Sequence, residues 1–597
     1  MAKQYKGSLS LDWYNKQKSI LLRGEEDLKL EGDIPAPKIN WINKDEALFY
    51  EVDEKEGKGL TPYWVDRTDI RVKEARPLLL QKVYKAVEKD KEGTLPGTTK
   101  EWTIEESTTD DSTVENILIK GDNLLVLNTL KKMFDNKPEE EKVKCVYIDP
   151  PYNTGSAFEH YDDNLAHSEW LTLMRDRLTI IRELLRFDGF IFLHLDDKES
   201  AYCKVLMDEI FGRENFCNEI ILTTNKPFGF KGTSDSLFKQ ANHVLLYAKD
   251  KSEIELKKIY IERNYDSAYN KVFLDITKPE DEWEWEGISE HVAKLKGYEN
   301  SRIAKKEIGS DAFEFEVSQF ALSNAERVFQ AVGVSGGAYL KRVETIKKSA
   351  KILDKIIRHP NDDMDYQFIG GRRVVYYKER LVQIDENILP GELITDTWTD
   401  ISFEGLAHEG GVDFPKSKKP EKLMERVFQI GSNEGDLVLD CFGGSGSTFS
   451  VAHKMNRKWI GVEIGEHANT HIVPRLKSVL EGSDQSGISK SVNWQGGGSF
   501  KYYHLGESII KINEDGTGDF NWSLGRTYIE EAFLSSYDYT LDTILDLSKG
   551  FVFEDNQVPL IGIQQVGTKT RVAIVSLNAP GEDNSFMTYD EIFYLYQ

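Results

Sequence analysis

The sequence predicts an α/β fold with a mostly parallel sheet and helices on both faces. Short apolar runs rich in β-branched residues alternate with longer stretches whose apolar residues recur at helical spacing. Two of the short runs end in groups that can carry chemistry, one at Asp149 and one at Asp440. Ligands bind at the carboxyl ends of strands in open α/β sheets, so these two places are candidate parts of one site.

The polar, mixed residues 1–110 are expected to form an N-terminal extension that docks on the next part of the chain. Apolar spacing within them predicts a helix over 78–89. A strand over 116–120 then ends at Gly121 and Asp122, and a helix is predicted from Leu124 to Met133. Asp122 suits the N-cap of that helix and also suits a ligand-binding role, and the sequence does not decide between them.

The first candidate group is Asp149-Pro150-Pro151-Tyr152, which continues as Asn-Thr-Gly and comes after the apolar run 143–148. Proline has no N–H to donate, so the two prolines end the strand, and each holds the preceding residue extended. A carboxylate, the Pro150 carbonyl and an aromatic ring are thereby expected together at the carboxyl end of a strand. A proline-terminated loop with a surface Asp is the ordinary alternative for so short a motif.

This combination of groups suits an amino group on a planar ring, such as the exocyclic amine of a nucleobase. Asp149 and the Pro150 carbonyl would accept hydrogen bonds from its two N–H groups while the nitrogen attacks an electrophile. Tyr152 would stack on the base, which must first be flipped out of the double helix.

Further alternation comes after this motif. Helices are predicted over 168–187 and 200–211, with strands over 189–195, 218–223 and 243–248, the last two as an antiparallel hairpin. Asp196 and Asp197 are interpreted as helix-capping residues. From about 250 to 390 the pattern changes to short mixed segments, and the basic and aromatic stretch 370–380 is compatible with phosphate and base contacts or with an ordinary solvated sheet face. This region is interpreted as an insertion or a separate domain.

The second candidate group comes after a helix predicted over 421–430 and a strand over 436–440. The glycine-rich turn 442–446 opens a helix, and a strand over 458–462 then ends at Glu463. Glycines in such a turn let backbone amides approach an anionic group closely. Glu463 lies 17 residues after Gly446 (463 − 446), a position suited to accepting ribose hydroxyls.

Composition limits the class of protein. The chain has 597 residues, and its net charge of −25 argues against nucleic acid unless a groove is locally basic. No apolar run is long enough for a membrane span, and the first residues lack an apolar signal core. The four cysteines are scattered without metal-ligand spacing, which favours reduced thiols, no metal and a cytoplasmic location.

Together, Asp149-Pro150-Pro151-Tyr152 and the turn 442–446 resemble the amino-methyltransferases of DNA, in which the first motif is catalytic and the second holds S-adenosylmethionine. The catalytic motif precedes the cofactor motif, which is the order of the beta class. Four longer phrases are similar to the modification subunits of type III restriction–modification systems: residues 69–77, 149–155, 414–420 and 496–503.

The resemblance implies a site without metal. It assigns a catalytic role to Asp149, Pro150, Pro151 and Tyr152. It assigns binding of S-adenosylmethionine to Asp122, Phe414, Lys419, Asp440, Phe442, Gly444, Gly446 and Glu463. Neither half of the site is complete by itself, so the two α/β stretches are expected to lie side by side in one sheet.

The resemblance also implies a fold and a domain order. The fold is a permuted Rossmann-like sheet of the S-adenosylmethionine-dependent methyltransferases, with an inserted target-recognition domain and a C-terminal α+β domain. The expected domains are an N-terminal extension (1–110), the catalytic half (111–250), the target-recognition domain (251–390), the cofactor half (391–482) and a C-terminal domain for dimerisation or partner contact (483–597).

The function that the resemblance implies is methylation of adenine N6 in double-stranded DNA, as the modification and recognition subunit of a type III system. The implied partners are a second copy of the chain and a restriction subunit with helicase and nuclease activity, and no membrane. Methylation of cytosine N4, methylation of protein glutamine and delivery of a nuclease partner remain alternatives. Asp149 favours adenine, since cytosine-N4 relatives usually carry Ser there, and the long insertion favours DNA over protein.

Overall fold

In the computed structural model the chain forms two compact units, residues 1–257 with 396–597 and residues 258–395. The structure describes residues 10–12, 38–53, 59–90, 100–135, 137–151, 167–224, 239–360, 366–384, 387–414, 418–512, 518–525, 528–529, 532, 540–541, 560–566, 569–575 and 593–595. Tyr152, one of the four predicted catalytic residues, lies outside the described residues.

The first unit is built around a sheet of 11 strands. From one edge to the other they are Thr397–Trp398, Phe216–Thr223, Ala241–Ala248, Leu185–Leu195, Val143–Ile148, Leu437–Asp440, Lys458–Glu463, Ile117–Lys120, Ser499–Leu505, Leu78–Asp90 and Lys100–Ser107. All neighbours from Leu185–Leu195 to Ser499–Leu505 are parallel. The predicted α/β class and the antiparallel hairpin before residue 250 are confirmed.

Four strands at the middle of the sheet place the candidate site. They are called here the motif strand (Val143–Ile148), the glycine-loop strand (Leu437–Asp440), the acid strand (Lys458–Glu463) and the first strand (Ile117–Lys120). The glycine-loop and acid strands lie between the other two and run parallel to both. The prediction that the two stretches of chain form one sheet is therefore confirmed, and their strands are interleaved.

Helices cover both faces of this sheet. Cys145 and Val146 are consecutive in the motif strand, so their side chains point to opposite faces. Val146 belongs to the core formed with the helices Asn123–Phe134, His167–Leu184 and Ser200–Phe211, whereas the Cys145 sulfur lies against Gly431 of the helix Glu421–Gly431. Among the described residues, this unit also has the α-helices Ile70–Lys73, Ser447–Lys454 and Val473–Leu480 and the π-helix Ala468–Ile472. All six side chains of the motif strand are buried, as a parallel strand covered on both faces requires.

Two expectations from the sequence need correction. Residues 78–90 form a strand and not a helix, because Leu78–Asp90 pairs with Ser499–Leu505 on one side and Lys100–Ser107 on the other. The helix expected over 168–187 ends at Leu184, where the strand Leu185–Leu195 begins. The sheet thus includes strands from stretches that the sequence assigned to the N-terminal extension and the C-terminal domain.

An N-terminal hairpin, Glu46–Asp53 with Gly59–Asp66, contacts the helix His167–Leu184. Arg175 and Arg177 of that helix donate to the backbone carbonyls of Glu46 and Leu48 at 2.6 and 3.0 Å. Smaller sheets of the first unit pair Ser10–Asp12 with Lys38–Asn40, Ile510–Ile512 with Gly518–Phe520, and Thr540–Leu541, Leu560–Val566, Lys569–Val575 and Phe593–Leu595 in sequence order.

The second unit has two sheets and four α-helices in its described residues. One sheet has the order Trp285–Gly287, Lys271–Phe273, Val328–Val332, Arg372–Tyr376, Gln367–Ile369, Ile357–Arg358, and the other the order Tyr260–Glu262, Asn387–Leu393, Leu381–Ile384. The helices are Ile288–Leu295, Ser301–Ile308, Ser310–Ser323 and Gly336–Ala350. Within the described chain, no helix has the length and apolar character needed to cross a bilayer.

Candidate active site

The first part of the candidate site lies where the motif strand ends. Asp149 comes directly after Ile148, and the two prolines after it stop the strand. The carbonyl of Pro151 accepts a hydrogen bond of 2.7 Å from the Trp170 indole N–H. Trp170 is fully buried in the next helix along the chain, so its bond fixes the second proline to the protein body.

Asp149 is paired with a lysine from the far half of the chain. The Lys419 Nζ lies 2.5 Å from Asp149 Oδ2, and the two side chains are 11% and 17% exposed. Lys419 belongs to the segment 414–420 that the sequence assigned to the cofactor pocket. Its ion pair is with the predicted catalytic carboxylate, a contact between residues 270 positions apart, and its role toward the cofactor stays a prediction.

A double-mutant cycle distinguishes these two roles of Lys419. If the site carries out the methyl transfer that the resemblance implies and Lys419 acts by holding Asp149, the variant Lys419→Ala is expected to lower kcat/KM for that reaction. The double variant Asp149→Ala/Lys419→Ala is then expected to be no worse than Asp149→Ala alone. If Lys419 acts on the cofactor, its replacement must weaken binding of S-adenosylmethionine in both backgrounds. Steady-state kinetics and calorimetric titration of S-adenosylmethionine measure the two quantities, and additive losses would contradict the pairing role.

The second part of the site is the glycine turn after the glycine-loop strand. Gly444 and Gly446 have φ of +52° and +76°, a region that a side chain disfavours. The Gly446 N–H donates to the Gly443 carbonyl at 2.8 Å, and the helix Ser447–Lys454 begins at the next residue. Gly443 is also constrained, since a Cβ there would lie 3.0 Å from the Phe449 ring. Phe442 is buried at the start of this turn.

Asp440 holds the two ends of the glycine turn together. Its Oδ1 accepts the Phe442 N–H at 2.9 Å and its Oδ2 accepts the Thr448 hydroxyl at 2.6 Å, so one carboxyl group joins both ends of the turn. Burial raises the pKa of Asp440 to about 7, and the charges of Asp149 and Glu463 add to this increase against the hydrogen bonds that lower it. The three carboxyl groups therefore act on one another electrostatically.

The raised pKa of Asp440 makes stability depend on pH. With an ordinary pKa of 3.8, the unfolded chain releases a proton that the folded chain retains until about pH 7. This contribution to the free energy of unfolding is therefore complete below about pH 4 and is lost as pH rises through about 7. Asp440→Asn mimics the protonated carboxyl and is expected to remove that loss. Urea denaturation of both proteins at about pH 5, 6 and 7 measures the difference, and parallel pH curves would refute the assignment.

Glu463, at the end of the acid strand, is fully buried and hydrogen-bonded within the protein. Its two carboxylate oxygens accept the N–H groups of Gly444 and Gly465 at 2.8 and 2.9 Å, and His467 Nε2 lies 3.0 Å away. Burial raises the pKa of Glu463, but the His467 ring and these amides lower it by more, and the pKa lies below its ordinary value. The Phe414 ring packs against His467 with centroids 5.5 Å apart. The glycine turn is thus closed onto Glu463.

Asp122 caps the helix after the first strand, as one of its two interpretations predicted. Its Oδ1 accepts the N–H groups of Leu124 and Leu125 at 2.8 and 3.2 Å. Its Oδ2 accepts the Tyr50 N–H at 3.0 Å and pairs with Arg177 at 3.1 Å, with both charged side chains almost fully buried. These contacts occupy the carboxylate and give it a structural role, while its predicted place near the cofactor stays a prediction.

Several residues that support the site were not foreseen from the sequence. Asn123 donates to the Cys441 carbonyl at 2.8 Å and so joins the helix after the first strand to the glycine turn. Arg475 Nη1 donates to the Ser447 hydroxyl at 2.8 Å, and that hydroxyl donates to the Lys419 carbonyl at 3.0 Å. Only the polar character of these residues was visible in the sequence, because their partners come from distant positions.

A buried ion cluster (Glu421, Lys454, Arg475 and Asp484) stands behind these contacts. Lys454 Nζ lies 2.8 Å from Glu421 and 2.7 Å from Asp484, and Arg475 lies 2.8 Å from Glu421. The four side chains are at most 3% exposed. Two positive and two negative charges balance, and the cluster holds the helix after the glycine turn against the segment that carries Lys419.

Taken together, the structure brings seven predicted site residues to the carboxyl edge of the motif, glycine-loop and acid strands: Asp149, Lys419, Asp440, Phe442, Gly444, Gly446 and Glu463. This edge is a switch point of the sheet. From the motif strand the chain proceeds to Leu185–Leu195 on one side, and from the glycine-loop strand it proceeds to the acid strand on the other. A crevice at such a point is where open α/β sheets bind ligands. No group of three or more residues suited to holding a metal ion occurs within the described ranges.

The comparison with protein families matches the region that contains this edge. The model of the N6/N4 family described as DNA methylase matches residues 143–473, more than half of the chain. The chain belongs to this DNA methylase family.

Similar proteins include modification enzymes of bacteria. A Haemophilus influenzae protein named as the probable type III restriction-modification enzyme HindVI Mod subunit is 34% identical over 66% of this chain and 54% of its own length. The type II methyltransferase M.EcaI of Enterobacter cloacae is 30% identical over 60% of this chain and 69% of its own. Among solved structures, the cytosine-N4-specific PvuII DNA methyltransferase covers 64% of this chain and 91% of its own at 15% identity, with a TM-score of 0.28. The chain spans about half the length of the type III Mod subunits that it matches.

Proposed function

We propose that this chain is a sequence-specific DNA methyltransferase that moves a methyl group from S-adenosylmethionine to N6 of an adenine flipped out of double-stranded DNA. The observation that carries the proposal is the meeting of two half-sites from distant parts of the chain. Asp149 is paired with Lys419, and the carbonyl of Lys419 is bound by Ser447 at the start of the glycine-turn helix. The carboxylate for the amino group and the turn for the cofactor therefore share one edge of the sheet.

The residues at this edge fit S-adenosylmethionine chemically. When bound, this molecule supplies a methyl group that its positively charged sulfonium has already activated. The Glu463 carboxylate, with Asp440 ionising near pH 7, gives the turn the negative surroundings that favour a sulfonium, and the charges of Asp149 and Glu463 add to the burial that raises the pKa of Asp440. The other residues proposed to hold the cofactor are Asp122, Phe414, Lys419 and the turn residues Phe442, Gly444 and Gly446, with Glu463 accepting the ribose hydroxyls. Glu463 is 1% exposed, so contact of its carboxylate with ribose requires the surrounding residues to open.

Asp149 and the Pro150 carbonyl are proposed to accept hydrogen bonds from the two N–H groups of the adenine amino group. Tyr152 is proposed to stack on the ring. The amino nitrogen would bond the methyl carbon as the carbon–sulfur bond breaks and its electron pair passes to the sulfur. The Asp149 carboxylate would stabilise the positive charge that the nitrogen gains, until one N–H proton is released to solvent. Lys419 holds the Asp149 side chain in place through their ion pair until the base arrives. No covalent bond to the protein is needed, because alignment and charge stabilisation are sufficient for this transfer.

The cellular role is proposed from the similarity to Mod subunits. On this basis the chain is the modification and DNA-recognition subunit of a type III restriction–modification system in the cytoplasm, with a second copy and a restriction subunit as partners. The second unit is proposed to be the target-recognition domain. An Asp at position 149 favours adenine over cytosine as the target.

The proposal is tested by mapping modified bases in DNA from cells that carry this chain, the Asp149→Ala variant or the Asp250→Ala variant. Asp250 is a partly exposed residue two positions after the strand Ala241–Ala248. It lies on the side of the same sheet opposite to the carboxyl ends that carry the candidate site. N6-methyladenine in one short motif, present with the chain and with Asp250→Ala but absent with Asp149→Ala, is the expected result. N4-methylcytosine would replace the adenine assignment, and no modified base in any sample would overturn the proposed activity.

A further inference from the structure

The helix Gly336–Ala350 of the second unit has two different faces. Arg342, Thr345, Ile346 and Ser349 are buried, and the helix packs on the sheet strands that include Gln367–Ile369. The guanidinium of Arg342 lies 3.7 Å from the centre of the Tyr366 ring, which fixes this side of the helix to the sheet. The opposite face is consequently directed away from the sheet.

That opposite face carries a row of lysines. Lys341, Lys347 and Lys348 are exposed at helical spacing, and Lys351 is exposed one residue past the end of the helix. These four residues are called here the lysine face. In the part of the chain that the structure describes, none of them lies within ion-pair distance of a carboxylate. Leu340, 73% exposed, stands beside them.

This face is locally basic, although Glu344 is also exposed on it, one helical turn from Lys341 and from Lys348. Other exposed cations of the second unit include paired ones, such as Lys294 with Glu286 and Lys305 with Glu314, and ones with no ion pair among the described residues, such as Lys278 and Lys306. Residues 336–360 contain seven Lys and Arg and only two acidic residues, in a chain whose net charge is −25. Cations collected on one rigid face of an acidic protein point to a polyanionic partner.

The dimensions of the face suit a nucleic acid backbone. Lys341 and Lys351 are ten residues apart, which is about 15 Å along a helix that rises about 1.5 Å per residue. Phosphates of one DNA strand recur about every 3.4 Å along the duplex axis, so about four of them span that length. Lysines bind phosphates as flexible point charges and need no fixed geometry.

We propose that the lysine face binds the phosphate backbone of double-stranded DNA. The inference rests on the proposed function, which makes DNA the substrate. It adds that the helix Gly336–Ala350 of the second unit holds the DNA. Contacts of this kind set the position and orientation of the protein on the duplex and do not read sequence. The bases of the recognition site are therefore read by residues outside this row.

The test is the salt dependence of duplex binding by the full chain, measured by fluorescence anisotropy without S-adenosylmethionine. The variant Lys341→Ala/Lys347→Ala/Lys348→Ala/Lys351→Ala is expected to flatten the plot of log affinity against log salt by about 0.9 for each phosphate that is no longer bound, or about 3.6 in total. Near 0.2 M salt its Kd is expected to rise by about two orders of magnitude. The matched control, Lys294→Ala/Lys305→Ala, removes two paired lysines of the same unit and is expected to leave both quantities unchanged.

The specificity for one motif is expected to persist in the lysine-face variant, because affinity for specific and random duplexes falls together. An unchanged salt slope and Kd would overturn the inference, and so would a loss of binding to an acidic protein partner with no change in duplex binding. Circular dichroism of the variant checks that it is folded. Duplex binding by the Asp149→Ala variant separates the two proposals. If the chain does not methylate but its duplex binding depends on the lysine face, only the further inference is supported. If the chain methylates and the lysine-face substitutions leave duplex binding unaltered, only the further inference is refuted.

Discussion

Replacement of Asp149 by alanine is expected to lower the rate of methyl transfer by at least about 10²–10³-fold, the effect of removing one group that stabilises charge in a transition state. The affinity for S-adenosylmethionine is expected to change less than about threefold, which corresponds to under 1 kcal/mol. The reason is the division of the site: the turn 442–446 and Glu463 hold their positions through hydrogen bonds that do not involve Asp149.

Single-turnover kinetics on a duplex that contains the mapped motif, with calorimetric titration of S-adenosylmethionine, measures both effects. Asp149→Asn keeps an oxygen that can accept a hydrogen bond from one N–H group but removes the charge. An intermediate loss of the methyl-transfer rate is therefore expected from this variant. Asp250→Ala serves as the control at the other edge of the sheet. Retained turnover in Asp149→Ala would show that another group stabilises the amino nitrogen, and a parallel loss of cofactor binding would place Asp149 in the cofactor pocket.

Replacement of Glu421 by glutamine is expected to lower the free energy of unfolding by about 3–5 kcal/mol, the usual cost of removing one partner from a buried ion pair. Glu421 accepts hydrogen bonds from Lys454 and Arg475 within the buried ion cluster, and both of these cations have fully buried side chains. Without the carboxylate, Arg475 loses its ion pair and Lys454 keeps only Asp484. Urea denaturation measures the loss.

The matched control is Glu115→Gln. Glu115 pairs with Lys458 at the surface, with the two side chains 58% and 44% exposed, and such pairs contribute about 0–1 kcal/mol. Native-state hydrogen exchange of the helix Ser447–Lys454 gives a second measure, since that helix carries Lys454 and its first residue bonds Arg475. Equal and small losses in both variants would mean that the cluster is replaceable and does not hold the glycine turn.

The strands and turns of the site were predictable because their signals are local. The prolines after Ile148 and the glycines after Asp440 end strands for reasons that depend on those residues alone. Buried apolar runs likewise identified the middle strands of the sheet, and the place of Asp122 before a helix gave the cap as one of its two interpretations. The resemblance added what local signals lack, namely that the two groups belong to one site.

The contacts that assemble the site were not predictable, because they join residues far apart in the chain. Asp149 and Lys419 are 270 positions apart, and Glu421 and Arg475 are 54 apart. The wrong helix over 78–89 has the same origin: Val83 and Val87 have helical spacing, but pairing with Ser499–Leu505 and Lys100–Ser107 overrides it. A sequence pattern reports local preference and not the partner that decides between two local structures.

The interleaving of the strands has a consequence for synthesis of the chain on the ribosome. The motif strand and the first strand are made early, but the strands that separate them in the sheet begin only at Leu437, which is 289 residues after Ile148 (437 − 148). At a synthesis rate of about 5–20 residues per second, the facing edges of the motif strand and the first strand stay unpaired for about 15–60 s. A nascent chain that stops in this interval presents unpaired edges, which favour aggregation. The glycine turn is therefore completed late, and a truncated product is expected to aggregate.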